Sequence, residues 1–266
     1  MVDFVCIGGK KCGTTWLYHQ LSKNENLNPS KIKEPNYFSN KITKDISWYK
    51  KLWDNKSNGL KFECSSNYIY NKHAIENLII EYPNCKLILM YREHSARSVS
   101  HYYFLKRNYK EKNILSFIKK NYDSIINYSL LYPQLKRLND LHLLQNTLLI
   151  NFIDIQERPE EVIKKISKFL DVNLNYYHNL DKGTGYTPKI LIFEKIRNNI
   201  TEFLLHRFMI NPKKIFFLRY LDHIYKNLFT TKNKKSHKIK KIIIDHYSSV
   251  FDEDKRLIKK NFDLKI

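Results

Sequence analysis

The sequence predicts an α/β fold: a three-layer α/β/α domain around a central parallel sheet, opened by a P-loop-like strand–loop–helix unit and closed by a helical C-terminal part. Three observations predict it. Short β-rich runs alternate with helical patterns from residue 4 to residue 170, and that order needs crossovers, hence parallel strands. Two of the runs, Lys86–Tyr91 and Thr147–Ile153, are apolar on both faces, as strands covered on both sides are. A glycine-bearing loop, Gly8–Gly13, joins the first run to the first helical pattern.

The elements follow in order. Phe4–Ile7 is strand-sized and β-rich. Thr14–Leu21 spaces Trp16, Leu17 and Leu21 along one helical face. Leu60–Glu63 is a short strand, followed by Ser65, Ser66, Asn67 and Tyr68. Ala74–Tyr82 has helical spacing and stops at Pro83. Lys86–Tyr91 is the clearest strand, and Ser95–Lys106 follows as a helix. Thr147–Ile153 is a further buried strand, with Asp154 as its terminal cap. Pro159–Leu170 is a helix with proline in its first turn. Asp181–Pro188 reads as a loop, Ile190–Phe229 as helical, and Lys232–Lys241 as an exposed basic turn between helices. No repeat and no linker interrupts the chain, so one domain over residues 1–266 is expected.

Composition narrows the function. At 42% hydrophobic and 14% aromatic residues, the chain can bury a core, which excludes wholesale disorder. No apolar run reaches the roughly 18 residues of a membrane-spanning helix. Cys6, Cys12, Cys64 and Cys85 show neither a C-x-x-C pair nor zinc spacing, so they read as buried thiols. With no basic-then-apolar leader at Met1, a cytoplasmic protein is expected. The net charge of +21 attracts polyanions. It fits equally a Lys-rich composition whose charge is simply solvated. The basic residues are dispersed and no nucleic-acid-binding motif accompanies them, so nucleic acid is disfavoured as a partner.

The chemistry lies in Gly8-Gly9-Lys10-Lys11-Cys12-Gly13-Thr14-Thr15. Glycines at its first and sixth places let backbone N–H groups face an anion, backed by a helix N-terminus. In nucleotide kinases the next two residues are Lys and Ser or Thr. Here they are Thr14 and Thr15, and the lysine stands three residues upstream as Lys11. A second signal is Arg92, directly after the Lys86–Tyr91 strand, with Ser100 two helical turns on. A guanidinium there grips a phosphate bidentately, and a hydroxyl adds a donor.

Lys11-Cys12-Gly13-Thr14-Thr15-Trp16 resembles the K-x-G-T-T-x motif of sulfotransferases that use 3′-phosphoadenosine-5′-phosphosulfate (PAPS). Arg92 and Ser100 resemble that family's 3′-phosphate pair, with Glu93-His94 where Asp-Pro is usual. Lys33-Glu34-Pro35-Asn36-Tyr37-Phe38 resembles its K-E-x-x-F-F segment. Phe62-Glu63-Cys64-Ser65-Ser66-Asn67-Tyr68 is similar to the F-E-K-S-x-N-Y segment of the heparan N-sulfotransferase branch. Asp181-Lys182-Gly183 is similar to the late K-G loop, without the usual arginine before it. The resemblance covers about residues 3 to 188.

The resemblance implies sulfuryl transfer from PAPS, with adenosine 3′,5′-bisphosphate as product and no metal. It implies Lys11 at the leaving oxygen, and Lys11, Cys12, Gly13, Thr14, Thr15 and Trp16 around the 5′-phosphosulfate. It implies Arg92 and Ser100 at the 3′-phosphate, and Lys182 and Gly183 over the nucleotide. Trp16 is open to two readings, an adenine stack or a core residue. Glu34 is the expected catalytic base, with an ion pair to Lys33 or Lys31 as the alternative; a base working near neutral pH would have its pKa raised by burial. His73 and His101 stand in reserve. The implied acceptor is a small molecule or a glycan, an anionic one included, reached through a hydroxyl or an amine. The competing reading is a P-loop kinase of small molecules or nucleotides.

Overall fold

The computed structural model describes residues 1–39, 45–54, 58–107, 109, 113–178, 186–188, 230–232 and 236–262. In chain order the elements are β1 (Phe4–Gly8), α1 (Thr14–Leu21), β2 (Leu27–Pro29), α2 (Ile46–Lys50), β3 (Leu60–Cys64), α3 (Lys72–Glu81), β4 (Lys86–Tyr91), α4 (His94–Lys106), α5 (Ile114–Lys120), α6 (Tyr122–Ile125), α7 (Tyr132–Asp140), β5 (Thr147–Asn151), α8 (Phe152–Glu157), α9 (Pro159–Leu170), β6 (Tyr186–Pro188), β7 (Thr230–Lys232) and α10 (Ser236–Phe262). They group into two compact units. One comprises Met1–Glu93, Leu130–Gly183 and Glu253–Ile266; the other comprises His94–Ser129 and Thr184–Asp252.

The first unit holds a five-stranded parallel sheet in the order β2-β3-β1-β4-β5. β1 is central because all five of its residues are buried and the sheet alone can satisfy their backbone groups. On α9, Val162, Ile163, Ile166 and Leu170 are buried. They share a core cluster with Leu17 and Leu21 of α1, Phe4 and Cys6 of β1, and Ile88 and Met90 of β4. Each such side chain contributes about 1.5–3 kcal/mol on burial. Asp254, 4% exposed, accepts the N–H groups of Leu131 and Tyr132 at 2.9 and 3.0 Å and so caps α7.

Since every strand runs the same way, the C-terminal ends of β1, β3, β4 and β5 share one edge of the sheet. The order reverses around β1, and ligand crevices of open α/β sheets form at such a switch.

The second unit contains α4, α5, α6, the antiparallel pair β6–β7 and the N-terminal part of α10. Arg97 is 1% exposed and donates to the carbonyls of Ser124 (2.5 Å) and Ile125 (3.3 Å), so its role there is structural. Among the described residues no helix is long and apolar enough to cross a membrane.

Several expectations change. The strand from Thr147 ends at Asn151, whose side chain accepts the Ile153 N–H and starts α8. Phe152 and Ile153 are therefore helical, and Asp154 is no strand cap. Its carboxylate pairs with Arg158 one turn on, at 2.8 Å. Tyr186–Pro188 is a strand rather than loop. The basic run read as a turn contains the end of β7 and the start of α10, where Lys238, Lys240 and Lys241 are exposed. The reading of Ile190–Phe229 as helical lies outside the described residues. β2 and α2 went unread because a strand of three residues and a helix of five carry too little periodicity.

Candidate active site

Four pieces of chain meet at the sheet edge within the first unit. The Gly8–Gly13 loop leaves β1, Ser65 and Ser66 follow β3, Arg92 follows β4, and Phe152 follows β5. The loop is fixed from below. The Gly9 N–H donates to the Met90 carbonyl at 2.6 Å, and the Lys10 N–H to the Tyr70 hydroxyl at 3.1 Å. A Cβ on Gly9 would stand 2.8 Å from that hydroxyl and 3.1 Å from the Met90 oxygen, so a side chain there would displace Tyr70 and crowd the Met90 carbonyl. Lys11 takes a left-handed backbone, φ 67.

Gly13, φ 96, is the N-cap of α1 and supplies no side-chain acceptor. The first-turn N–H groups of a helix have no partner within it. With only glycine at the cap, they present themselves to an anion. Thr14 is buried and Thr15 exposed.

Arg92 closes the loop from β4. Its Nη1 donates to the Lys11 carbonyl at 3.3 Å, and its guanidinium lies 4.2 Å above the Phe152 ring centroid. Tyr91 and Asn151 are register partners, so the residues after them are neighbours, and Phe152 becomes the seat of Arg92. The sequence reading placed Phe152 inside a strand and missed this. An aromatic one residue past a strand end, level with Arg92, was the available signal.

Glu34 approaches from the other side. Its N–H donates to the Cys64 carbonyl at 3.0 Å, and its φ of 61 is left-handed. Its carboxylate is 34% exposed and meets Lys33 Nζ at 2.5 Å. Burial pushes the Glu34 pKa upward, but the Lys33 ammonium, the Ser66 hydroxyl and the Lys10 charge together hold it below its ordinary value. The Lys33 ion pair, the alternative reading of Glu34, is the one that forms, and Glu34 is a carboxylate well below neutral pH.

Glu63, a residue the sequence reading used only as part of a motif, is the raised carboxyl. It is fully buried and accepts hydroxyls from Tyr49 (2.7 Å), Tyr68 (2.9 Å) and Ser65 (2.5 Å). Burial lifts its pKa to about 7, although the three hydroxyls pull the other way. An acidic residue between Phe62 and Cys64, at the apolar end of the strand, was the signal for it.

A stability prediction follows from that lift. Folded Glu63 holds its proton more tightly than unfolded Glu63, so stability falls as pH rises from 4.5 towards 7. The loss is complete above that range, at about 3 kcal/mol. Glu34 runs the opposite way, losing its contribution as pH falls below 4.5. Melting of wild type beside Glu63→Gln at pH 5 and pH 8 is expected to show the variant gaining about 8 °C relative to wild type at the higher pH. A gap independent of pH would show that Glu63 does not titrate in this range.

The remaining site residues fall as follows. Cys12 is buried, its thiol 3.5 Å from the Lys10 carbonyl. Trp16, 4% exposed, belongs to the core cluster, the second of its two readings. Ser100 is half-buried on α4 in the second unit. Lys182 and Gly183 lie outside the described residues. His73 is exposed and pairs with Glu76 at 3.2 Å, while His101 is buried, its ring centroid 5.6 Å from that of Phe104. Among the described residues no group of His, Cys, Asp or Glu is arranged to hold a metal ion.

This arrangement suits an anion with phosphate-like oxygens: uncapped N–H groups, Lys11 on the loop, and Arg92 against it. A structure from Alicyclobacillus acidocaldarius, a sulfotransferase, matches the fold with a TM-score of 0.59 at 21% identity, over 76% of this chain and 91% of that one. The membrane-associated sulfotransferase kil1 of Dictyostelium discoideum is 34% identical over 114 residues. That match takes in 40% of this chain and 24% of that protein, so the chain spans about a quarter of the relative's length. The sulfotransferase domain model matches residues 2–245, and the chain belongs to the sulfotransferase family.

Proposed function

We propose that this enzyme moves the sulfuryl group of PAPS to a hydroxyl or amine of a small-molecule or glycan acceptor. The observation that carries the reading is the 3.3 Å contact between Arg92 and the Lys11 carbonyl. It supports a reading in which Arg92 and the loop of Lys11 border one nucleotide, each at a different anionic end, beside an uncapped helix start. PAPS supplies an activated sulfuryl group on a phosphate leaving group. Lys11 holds positive charge by the leaving oxygen, while Thr14, Thr15 and the loop N–H groups hold the 5′-phosphate. Arg92 takes the 3′-phosphate.

Glu34 accepts the acceptor's proton as the new O–S or N–S bond forms and the S–O bond to phosphate breaks. Its lowered pKa keeps it ionised, so no acid limb near neutral pH arises from Glu34. The in-line geometry is stabilised by positioning and charge, as in phosphoryl transfer. A kinase would place a lysine where Thr14 stands, and Thr14 is 5% exposed.

Calorimetry tests the reading. Adenosine 3′,5′-bisphosphate is expected to bind at least tenfold more tightly than ATP with Mg²⁺. Tighter ATP binding, or Mg²⁺-dependent ATP turnover, would overturn it in favour of the kinase.

A further inference from the structure

The Glu63 carboxylate carries an inference beyond its burial. Its three donors are hydroxyls, and each hydroxyl has one proton. With that proton given to Glu63, the oxygens of Ser65 and Tyr68 have only lone pairs left to offer. Both are used on one short segment. The Asn36 N–H donates to Ser65 Oγ at 3.1 Å, and the Phe38 N–H to the Tyr68 hydroxyl at 3.3 Å. The Glu34 N–H already donates to the Cys64 carbonyl at 3.0 Å. Every second N–H from 34 to 38 is thus tied to the end of β3 and the turn after it.

That segment needs tying. Glu34 and Asn36 both have left-handed backbones, φ 61 and 51, and such residues persist only where the surroundings impose them. Glu63, Ser65 and Tyr68 are all buried, so solvent does not compete for the hydroxyl protons.

We infer that Glu63 is a positioning residue: it orients the Ser65 and Tyr68 hydroxyls as acceptors, and they hold the segment that presents the Glu34 carboxylate to the reaction. This rests on Glu34 being the proton acceptor. Glu63 itself touches no reacting atom.

The test uses the full chain at pH 8, with two readouts. Amide hydrogen exchange of the peptide covering 34–38 reports the tether. Release of adenosine 3′,5′-bisphosphate from PAPS, with N-desulfated heparin or water as acceptor, reports turnover. Ser65→Ala is expected to exchange at least tenfold faster there. Its kcat falls about tenfold with KM for PAPS within twofold, and Ser65→Thr restores both. Glu63→Gln, which puts an N–H where a carboxylate oxygen stood, shifts both readouts the same way, several-fold.

In a Glu34→Gln background, Ser65→Ala costs less than twofold in kcat. Unchanged exchange in Ser65→Ala, wild-type behaviour of Glu63→Gln in both readouts, or an equal kcat loss in both backgrounds overturns the inference. Faster exchange together with wild-type turnover of Glu34→Gln overturns instead the assignment of the base, and with it the catalytic sense of the tether.

Discussion

Lys11→Ala is expected to lower kcat by about a thousandfold while leaving the Kd of adenosine 3′,5′-bisphosphate within about tenfold of wild type. The asymmetry follows from where charge develops. As the S–O bond breaks, negative charge grows on the phosphate oxygen, and a cation beside it gains most in the transition state. Removing one preorganised donor at such a place costs about 10²–10³ in rate, and a full positive charge on a half-buried loop stands at the upper end. The backbone complicates alanine here. Lys11 has φ 67, a left-handed conformation that costs a side-chain-bearing residue roughly 1 kcal/mol and glycine little. Lys11→Gly is therefore the control: it removes the amine and relieves the backbone. Both variants losing kcat alike assigns the loss to the charge. Recovery of most activity in Lys11→Gly would assign it to the loop's shape, and Lys11 would cease to be the leaving-group cation.

The middle of the sheet was legible because β1 and β4 are buried on both faces; β5, expected to be buried, is half-buried apart from Ile150. Phe4–Ile7 and Lys86–Tyr91 have nothing polar at their centres, and Pro159–Leu170 was bounded by its own proline and its amphipathic spacing, so its limits match α9. The end of β5 was misread because Phe152 and Ile153 continue the apolar run. Only the Asn151 side chain, taking the Ile153 N–H, turns the chain into a helix, and a single capping residue is easily outweighed in a pattern.

The glycine loop after β1 was legible for a different reason: a loop whose backbone N–H groups turn outward before a helix needs glycine at set places, and Gly13 at φ 96 is such a place. What surrounds the loop was not legible. Tyr70, Phe152 and the Glu63 tether act through contacts between residues from about 30 to over 80 positions apart in sequence, such as Lys10 with Tyr70 and Arg92 with Lys11. Local periodicity does not encode contacts of that range. The Glu34 pKa shows the same limit. Its sign depends on Lys33, Ser66 and Lys10 meeting one carboxylate, and of these only Lys33 is adjacent in the chain.

Arg92→Ala is expected to weaken adenosine 3′,5′-bisphosphate binding about a hundredfold, and to change kcat at saturating PAPS by less than fivefold. A guanidinium that bonds a phosphate through two N–H groups contributes about 1.5–3 kcal/mol per charged hydrogen bond, and about 3 kcal/mol net corresponds to that factor. The 3′-phosphate is remote from the reacting sulfur, so its contacts act alike on ground and transition states and appear in binding rather than in turnover. Arg92→Lys is expected to recover little, because an ammonium offers a point charge without the planar fork. It also lacks the flat face that rests on Phe152 at 4.2 Å. Phe152→Leu separates the seat from the charge. It keeps the guanidinium and removes the ring beneath it, and the affinity loss expected is about threefold to tenfold. Calorimetry on the three variants, with melting curves to confirm folding, gives the order. Equal binding of adenosine 3′,5′-bisphosphate by wild type and Arg92→Ala would place the 3′-phosphate elsewhere. The Arg92–Lys11 contact would then serve only to brace the loop, and Arg92→Ala would be expected to lower kcat instead.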